Sequence, residues 1–136
     1  MSVQFSTAVR NGMLNAWEVA IGVDAVMKIR TGAPPANCAA ADSGSVLATI
    51  TLPTDWMADA ASGSKAKSGT WEDTAADLGG TPGHYRIYAA DGTTCHEQGT
   101  VTAQGGGGDL ELTATFPLVQ GQPVGIASFS KTMVGA

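Results

Sequence analysis

The chain predicts a mainly β fold, an antiparallel β-sandwich of jelly-roll type carrying one N-terminal α-helix, and three observations predict it. Residues 109–116 alternate. Leu110, Leu112, Ala114 and Phe116 share one face and Asp109, Glu111, Thr113 and Thr115 the other, the period-2 signature of a half-buried antiparallel strand. Residues 84–89 and 94–102 form a second alternating pair joined through Asp91 and Gly92, a hairpin turn whose glycine takes a positive φ without steric cost. A helical period appears over residues 7–20, where Val9, Met13, Trp17 and Ile21 recur every four positions and Leu14 and Ala20 widen the stripe.

Each element has its own signal. Ser6 or Thr7 supplies a helix N-cap, and Gly22 ends the helix. Gly12 inside it costs about 1 kcal/mol relative to alanine, which implies a short helix or a closely approaching neighbour. From Asp24 the period becomes two: Ala25, Met27 and Ile29 alternate with Val26, Lys28 and Arg30 until Pro34 and Pro35, which cannot continue a ladder. Residues 36–45 are small and polar, a loop, and residues 46–52 form a strand halted by Pro53. Trp56 and Met57 are expected to cap the core, residues 65–71 to form a strand, and residues 74–83 a loop. The glycines at 105–108 read as a flexible link into the final pair of strands, which a tight turn joins. One helix and seven or eight strands separated by turn residues favour a jelly roll. The expected organisation is a single domain over 1–136, with an N-terminal arm and helix at 1–22 and the β-sandwich at 23–136.

Composition bounds the function. A chain of 136 residues buries a core of its own without metal or disulfide staples. The apolar share is 43% and the charged share only 14%, so Thr, Ser, Gly, Asn and Gln supply the polar surface, a character suited to packing against other proteins. A net charge of −5, with seven basic residues and no basic run, offers no footprint for a phosphate backbone, so no nucleic-acid partner is expected. The start lacks a charged segment followed by an apolar one, and no apolar stretch approaches the roughly 18 residues of a span; a soluble protein made in the cytoplasm, without a membrane partner, is expected. Cys38 and Cys95 are too far apart for a zinc knuckle or a CxxC motif and are expected to be reduced thiols.

The candidate chemistry is sparse. Cys95 and His96 are strand neighbours pointing to opposite faces, which rules out a nucleophile and base pair, while His84 is able to approach Cys95 across the hairpin without an orienting third residue. Asp109 and Glu111, with Asp42 or Asp91, are candidate calcium oxygens, although calcium takes six to eight of them from a compact loop. The glycine run lacks the Lys and Ser/Thr of a phosphate loop. Trp56, Trp71, Tyr85 and Tyr88 raise a sugar-binding alternative against core packing. No catalytic residue, cofactor or metal is expected, and the protein is read as a non-enzyme. Trp17 is open to two roles, packing on its own sheet or anchoring an interface. The candidate subunit interface is Val9, Met13, Trp17 and Ile21.

Seven segments in order, covering nearly the whole chain, resemble the small virion proteins that tailed bacteriophages encode near the capsid gene. They are TAVRNGMLNA at 7–16, MKIRTGAPPA at 27–36, VLATITLP at 46–53, YRIYAADG at 85–92, GTV at 99–101, DLEL at 109–112 and GQPVGIASF at 121–129. Residues 95–97 and 105–108 depart from the pattern. The group is similar to capsid cement, or decoration, proteins: jelly-roll subunits, often paired, that sit outside the major capsid shell. The resemblance therefore implies a structural role on the capsid exterior of the virion after assembly in the host cytoplasm. The phage major capsid protein and further copies of the chain are the implied partners. A phage tail or baseplate assembly protein and a carbohydrate-binding β-sandwich module are the alternatives.

Overall fold

The computed structural model describes residues 3–114 and 116–135. Helix α1, Thr7–Ile21, starts where the Ser6 hydroxyl accepts a hydrogen bond from Val9 N at 3.2 Å, and it ends where the Gly22 N–H donates to Glu18 O. The strands are β1 Val26–Thr31, β2 Val46–Thr51, β3 Ser64–Ala66, β4 Glu72–Asp73, β5 Pro82–Tyr88, β6 Cys95–Ala103, β7 Leu110–Leu112, β8 Val124–Gly125 and β9 Ser130–Thr132. Five of them form one sheet in the order β2-β1-β5-β6-β7, while β3 pairs with β9 and β4 with β8 as short ribbons. The fold is mainly β and sandwich-like with one N-terminal helix, as the alternation predicts. Thr115, the last polar position of the 109–116 alternation, lies outside the described residues.

Among the described residues one ladder departs from the antiparallel expectation. β7 runs parallel to β6, with Val101 opposite Leu110 and Ala103 opposite Leu112. Its alternation is as expected, Leu110 and Leu112 buried and Glu111 exposed, because side-chain period is the same in either strand direction. Parallel neighbours ordinarily need a connection of about a dozen residues or more. Here residues 104–109 suffice, because the glycines let the chain fold back against β6. A Cβ on Gly106 or Gly108 would lie 2.7 or 2.9 Å from the Thr102 side chain. Gly108 N donates to Thr102 Oγ1, Gly107 N to Glu111 Oε2, and the Asp109 carboxylate accepts from the Thr100 amide and hydroxyl. The expected flexible link is an ordered return loop.

The core fills the space between one face of the sheet and the elements laid across it. Met27, Ile29, Ile50, Tyr85, Ile87, Val101, Leu110 and Leu112 come from the sheet, and Ile21, Trp56, Met57, Trp71, Val124, Ile126 and Phe129 pack with them. Trp56 and Met57 are buried, as expected of a core cap. Neighbouring aromatic rings run Trp17, Trp56, Trp71, Phe129, Tyr85, at centroid separations of 5.2, 6.0, 5.3 and 6.0 Å. Glu97 closes this chain into a ring: its carboxylate accepts from Trp17 Nε1 at 3.0 Å and Tyr85 OH at 2.7 Å, and pairs with Lys131 Nζ at 2.8 Å. Burial first, and then the Glu97 charge, hold the Tyr85 phenol far above its ordinary range, so it remains a donor.

The helix divides its apolar residues differently from the expected stripe. Leu14 and Ile21 are buried at 2% and 4% exposure, and Trp17 is half-buried in the aromatic ring, whereas Val9 and Met13 stand 45% and 37% exposed. Four-residue steps overshoot a turn by about 40° each, so the row from Val9 to Ile21 winds about 120° around the axis, from solvent into the core. Ile21 is therefore a core residue and Trp17 a half-buried one packed against the core, which leaves Val9 and Met13 as the accessible members of the candidate interface. Gly12 meets no close neighbour, and the helix nonetheless runs 15 residues. Its hold is tertiary. The buried Lys65 of β3 donates to Asn15 Oδ1 at 2.7 Å and pairs with Glu18 at 2.8 Å, and Gly63 N donates to Asn11 Oδ1.

Truncating the buried side of α1 should be costly and truncating its outer side should not. Leu14→Ala and Ile21→Ala are expected to lower unfolding stability by about 2–4 kcal/mol, and Val9→Ala and Met13→Ala by under about 0.5 kcal/mol, in urea titrations followed by tryptophan fluorescence.

Candidate functional site

The face of the sheet turned away from the apolar core is polar, and the register sets its membership. Lys28 lies opposite Arg86 and Arg30 opposite His84, while Gln98, Thr100 and Cys95 oppose Arg86, His84 and Tyr88 from β6. Residues 32–45 lie over this face. Arg86 is 2% exposed and fully engaged: Nη1 donates to Asp42 Oδ1 at 2.7 Å, Nη2 to Asn37 O at 2.9 Å and to Gln98 Oε1, and Nε to the same Gln98 oxygen. Arg30 pairs with Asp42 Oδ2 at 3.0 Å, Tyr88 OH donates to Asp42 Oδ1 at 2.6 Å, and Gln98 Nε2 donates to Pro35 O. Burial alone would raise the Asp42 pKa, but hydrogen bonds from Tyr88 and Arg86 and the two arginine charges outweigh it and hold the carboxyl below its ordinary range. These bonds fasten the loop to the sheet, and among the described residues only the buried Arg30 Nε of this cluster lacks a hydrogen-bond partner.

The sequence candidates for chemistry are dispersed. His84 pairs with Thr100 and Cys95 with Tyr88, at opposite ends of β5, so the considered approach of His84 to Cys95 is not made. His84 is buried with Nδ1 donating to Gly32 O at 2.8 Å, and His96 is exposed. Cys95 meets Cys38 instead: both are free thiols, and Cys95 Sγ donates to Cys38 Sγ at 2.8 Å. Burial, and then the Cys38 sulfur, push the Cys95 thiol up to about 12.

The acids considered as calcium ligands each serve local structure. Asp109 and Glu111 close the return loop, Asp42 holds the arginines, and Asp91 binds the Thr94 hydroxyl and the Thr93 and Thr94 amides, which keep its carboxyl below its ordinary range. Among the described residues no three His, Cys, Asp or Glu side chains are grouped to hold a metal ion. Trp56, Trp71, Tyr85 and Tyr88 are all buried and turn no ring face to a sugar.

The exposed large apolar side chains are concentrated. Among the described residues nine large hydrophobic side chains are exposed, and six of them, Val3, Phe5, Val9, Met13, Val19 and Val23, belong to the first 23 residues. Val134 is exposed beside this arm, where Phe5 N donates to Gly135 O at 2.6 Å. A groove of about 280 Å³ at the end of α1, lined by Glu18, Val19, Gly22, Val23 and Trp56, extends the same surface. Val9 and Met13 thus keep the accessibility an interface needs. No helix among the described residues is long and apolar enough to cross a membrane. Compared with family models, curated proteins and solved structures, the chain matches none of them.

Sequence reasoning missed the loop clamp, although one signal for it was present. Asp42 is the only charged residue between Arg30 and Asp55, an isolated acid in a loop that follows a strand bearing Lys28 and Arg30. Asp42→Asn should lower stability by about 1 kcal/mol at pH 7, a modest figure because the Asp42 side chain is 38% exposed and solvent screens the pair. The folded pKa lies below the unfolded value of about 3.9, so this contribution is present above pH 4 and is lost as pH falls through the folded pKa. Urea titrations of the two proteins should therefore differ at pH 7 and converge at the lowest pH at which the fold persists.

Proposed function

We propose that the protein is a structural virion component that binds the outer surface of a tailed-bacteriophage capsid and stabilises the mature head. The observation that carries this reading is the run of seven segments, in order and over nearly the whole chain, that resemble the capsid decoration group. The surface is in keeping with it. Exposed apolar side chains gather on the arm and helix, and the net charge of −5 suits a position outside the shell better than one against packaged DNA.

The role is mechanical and asks for no catalytic group. Packaged genome pushes the shell outward, and a subunit that bridges neighbouring capsomers adds contacts that must break before the shell opens. An interface of about 800 Å² on the subunit corresponds to roughly 20 kcal/mol of apolar burial at 25 cal/mol/Å², most of it offset by lost motion and polar desolvation. Repetition over a symmetric lattice multiplies a small net gain per copy. In this reading Val9 and Met13 face the capsid or a second copy, and Trp17 and Ile21 support them from within.

Heads assembled without the protein should form and expand, yet release DNA at lower temperature or under milder osmotic shock than decorated heads. Purified protein added back should restore resistance on expanded heads and fail to bind unexpanded ones, because a bridge depends on the distance between its attachment points. Val9→Asp with Met13→Asp should weaken binding at least tenfold while leaving the melting temperature nearly unchanged. Equal fragility with and without the protein defeats the assignment, and labelled copies found only on tails favour the tail assembly alternative.

A further inference from the structure

We infer that Cys38 and Cys95 form a reversible intramolecular disulfide that locks the 32–45 loop onto the polar face of the sheet. Two thiols separated by 57 positions in the chain do not meet by local geometry. They meet here because the structure delivers each from a different side. The β5–β6 register shifts between Ile87 and Tyr88, which sets Cys95 opposite Tyr88 on the face that the loop covers. Cys38 is delivered by a clamped turn: Asn37 O is held by Arg86, Asn37 Oδ1 accepts from the Ala39 and Ala40 amides, and Pro35 O and Asp42 are bound on either side. The sulfurs rest at 2.8 Å, within about 0.8 Å of the roughly 2.05 Å of a disulfide bond, so closure asks for little movement of either backbone. Both residues are half-buried, which leaves the pair reachable by a small oxidant.

The oxidant is a low-molecular-weight disulfide such as glutathione disulfide. Cys38, whose sulfur accepts the Cys95 S–H, loses its proton to solvent and attacks one glutathione sulfur. That disulfide breaks, one glutathione leaves as thiolate, and Cys38 carries a mixed disulfide. Cys95 then gives up its proton and attacks the Cys38 sulfur, expelling the second glutathione. Two electrons and two protons pass from the cysteine pair to two glutathione molecules. The elevated Cys95 thiol pKa favours Cys38 as the entering nucleophile. Once formed, the bond holds the loop whether or not Asp42 is ionised, so it takes over where the ionic clamp weakens.

The full-length protein, equilibrated over a series of reduced to oxidised glutathione ratios, trapped with acid, unfolded and alkylated, supplies the test. The expected oxidised product is a monomer lighter by two hydrogens that takes up no label and yields a single Cys38–Cys95 linked peptide on digestion. Its melting temperature should rise by about 10 °C over the reduced protein, and amides of residues 36–45 should exchange at least tenfold more slowly; dithiothreitol should reverse both. Cys38→Ser and Cys95→Ser should each abolish the rise. Full labelling of both thiols at every ratio overturns the inference, as do glutathione adducts or interchain dimers as the sole products. A linked peptide without the thermal shift and loop protection overturns the lock.

Discussion

One carboxylate sets the arrangement of the apolar half of the molecule. An ionised group inside a protein is tolerated only when its oxygens are met by donors, and Glu97 draws those donors from three elements far apart in the chain: Trp17 of α1, Tyr85 of β5 and Lys131 of β9. Apolar packing is permissive about direction, but these bonds are not. Helix, sheet and C-terminal ribbon are thereby held to one mutual placement, and the five aromatic rings follow. Lys131 adds to the same point by lying over the Trp17 and Phe129 rings, so the neutralising charge packs against the aromatic edge of the core.

The sheet thus separates two kinds of cohesion. On one face dispersion and hydrophobic burial dominate; on the other, ion pairs and hydrogen bonds attach a loop without large apolar side chains to strands that carry Arg30 and Arg86. Its β2 edge is also occupied. Thr49 N donates to Asp73 Oδ2, and Leu47 O accepts from the Asp77 and Leu78 amides. An edge engaged in this way is a poor template for strand addition, which makes the arm and helix the better-exposed surface for a protein contact.

The parts of the fold legible in the sequence were those determined locally. The alternations in β1, β2, β5 and β6 and the Asp91-Gly92 turn each depend on neighbours a few residues away, and the Ser6 cap and Gly22 stop likewise. Direction was not legible, since Leu110 and Leu112 alternate identically in a parallel or an antiparallel ladder. Nor were the ribbons, because two or three residues carry no period and their pairing is decided by what surrounds them. Burial of Lys65, His84 and Arg86 contradicts their residue types and becomes intelligible only when Asn15, Glu18, Gly32 and Asp42 are seen around them. The helix was legible but the burial along it was not: the four-residue spacing located the helix, while its slow rotation separated the exposed Val9 and Met13 from Trp17 and Ile21.

The β3–β9 ribbon joins Ser64 to Thr132, and the β4–β8 ribbon joins Glu72 to Gly125. Such pairings raise the contact order of the chain, and ordering the long intervening segment must precede the reward. On the ribosome the consequence is temporal. Until residue 132 has emerged, Glu97 lacks Lys131, α1 lacks the completed ribbon behind β3, and Trp17 and Trp56 have no finished wall to pack against. The nascent polypeptide consequently has no stable halfway house. Helix α1 is synthesised before every strand and secured only once β9 is in place, so emergence of the β9 segment, rather than growth of the chain ahead of it, becomes the event that commits the fold to a single native state.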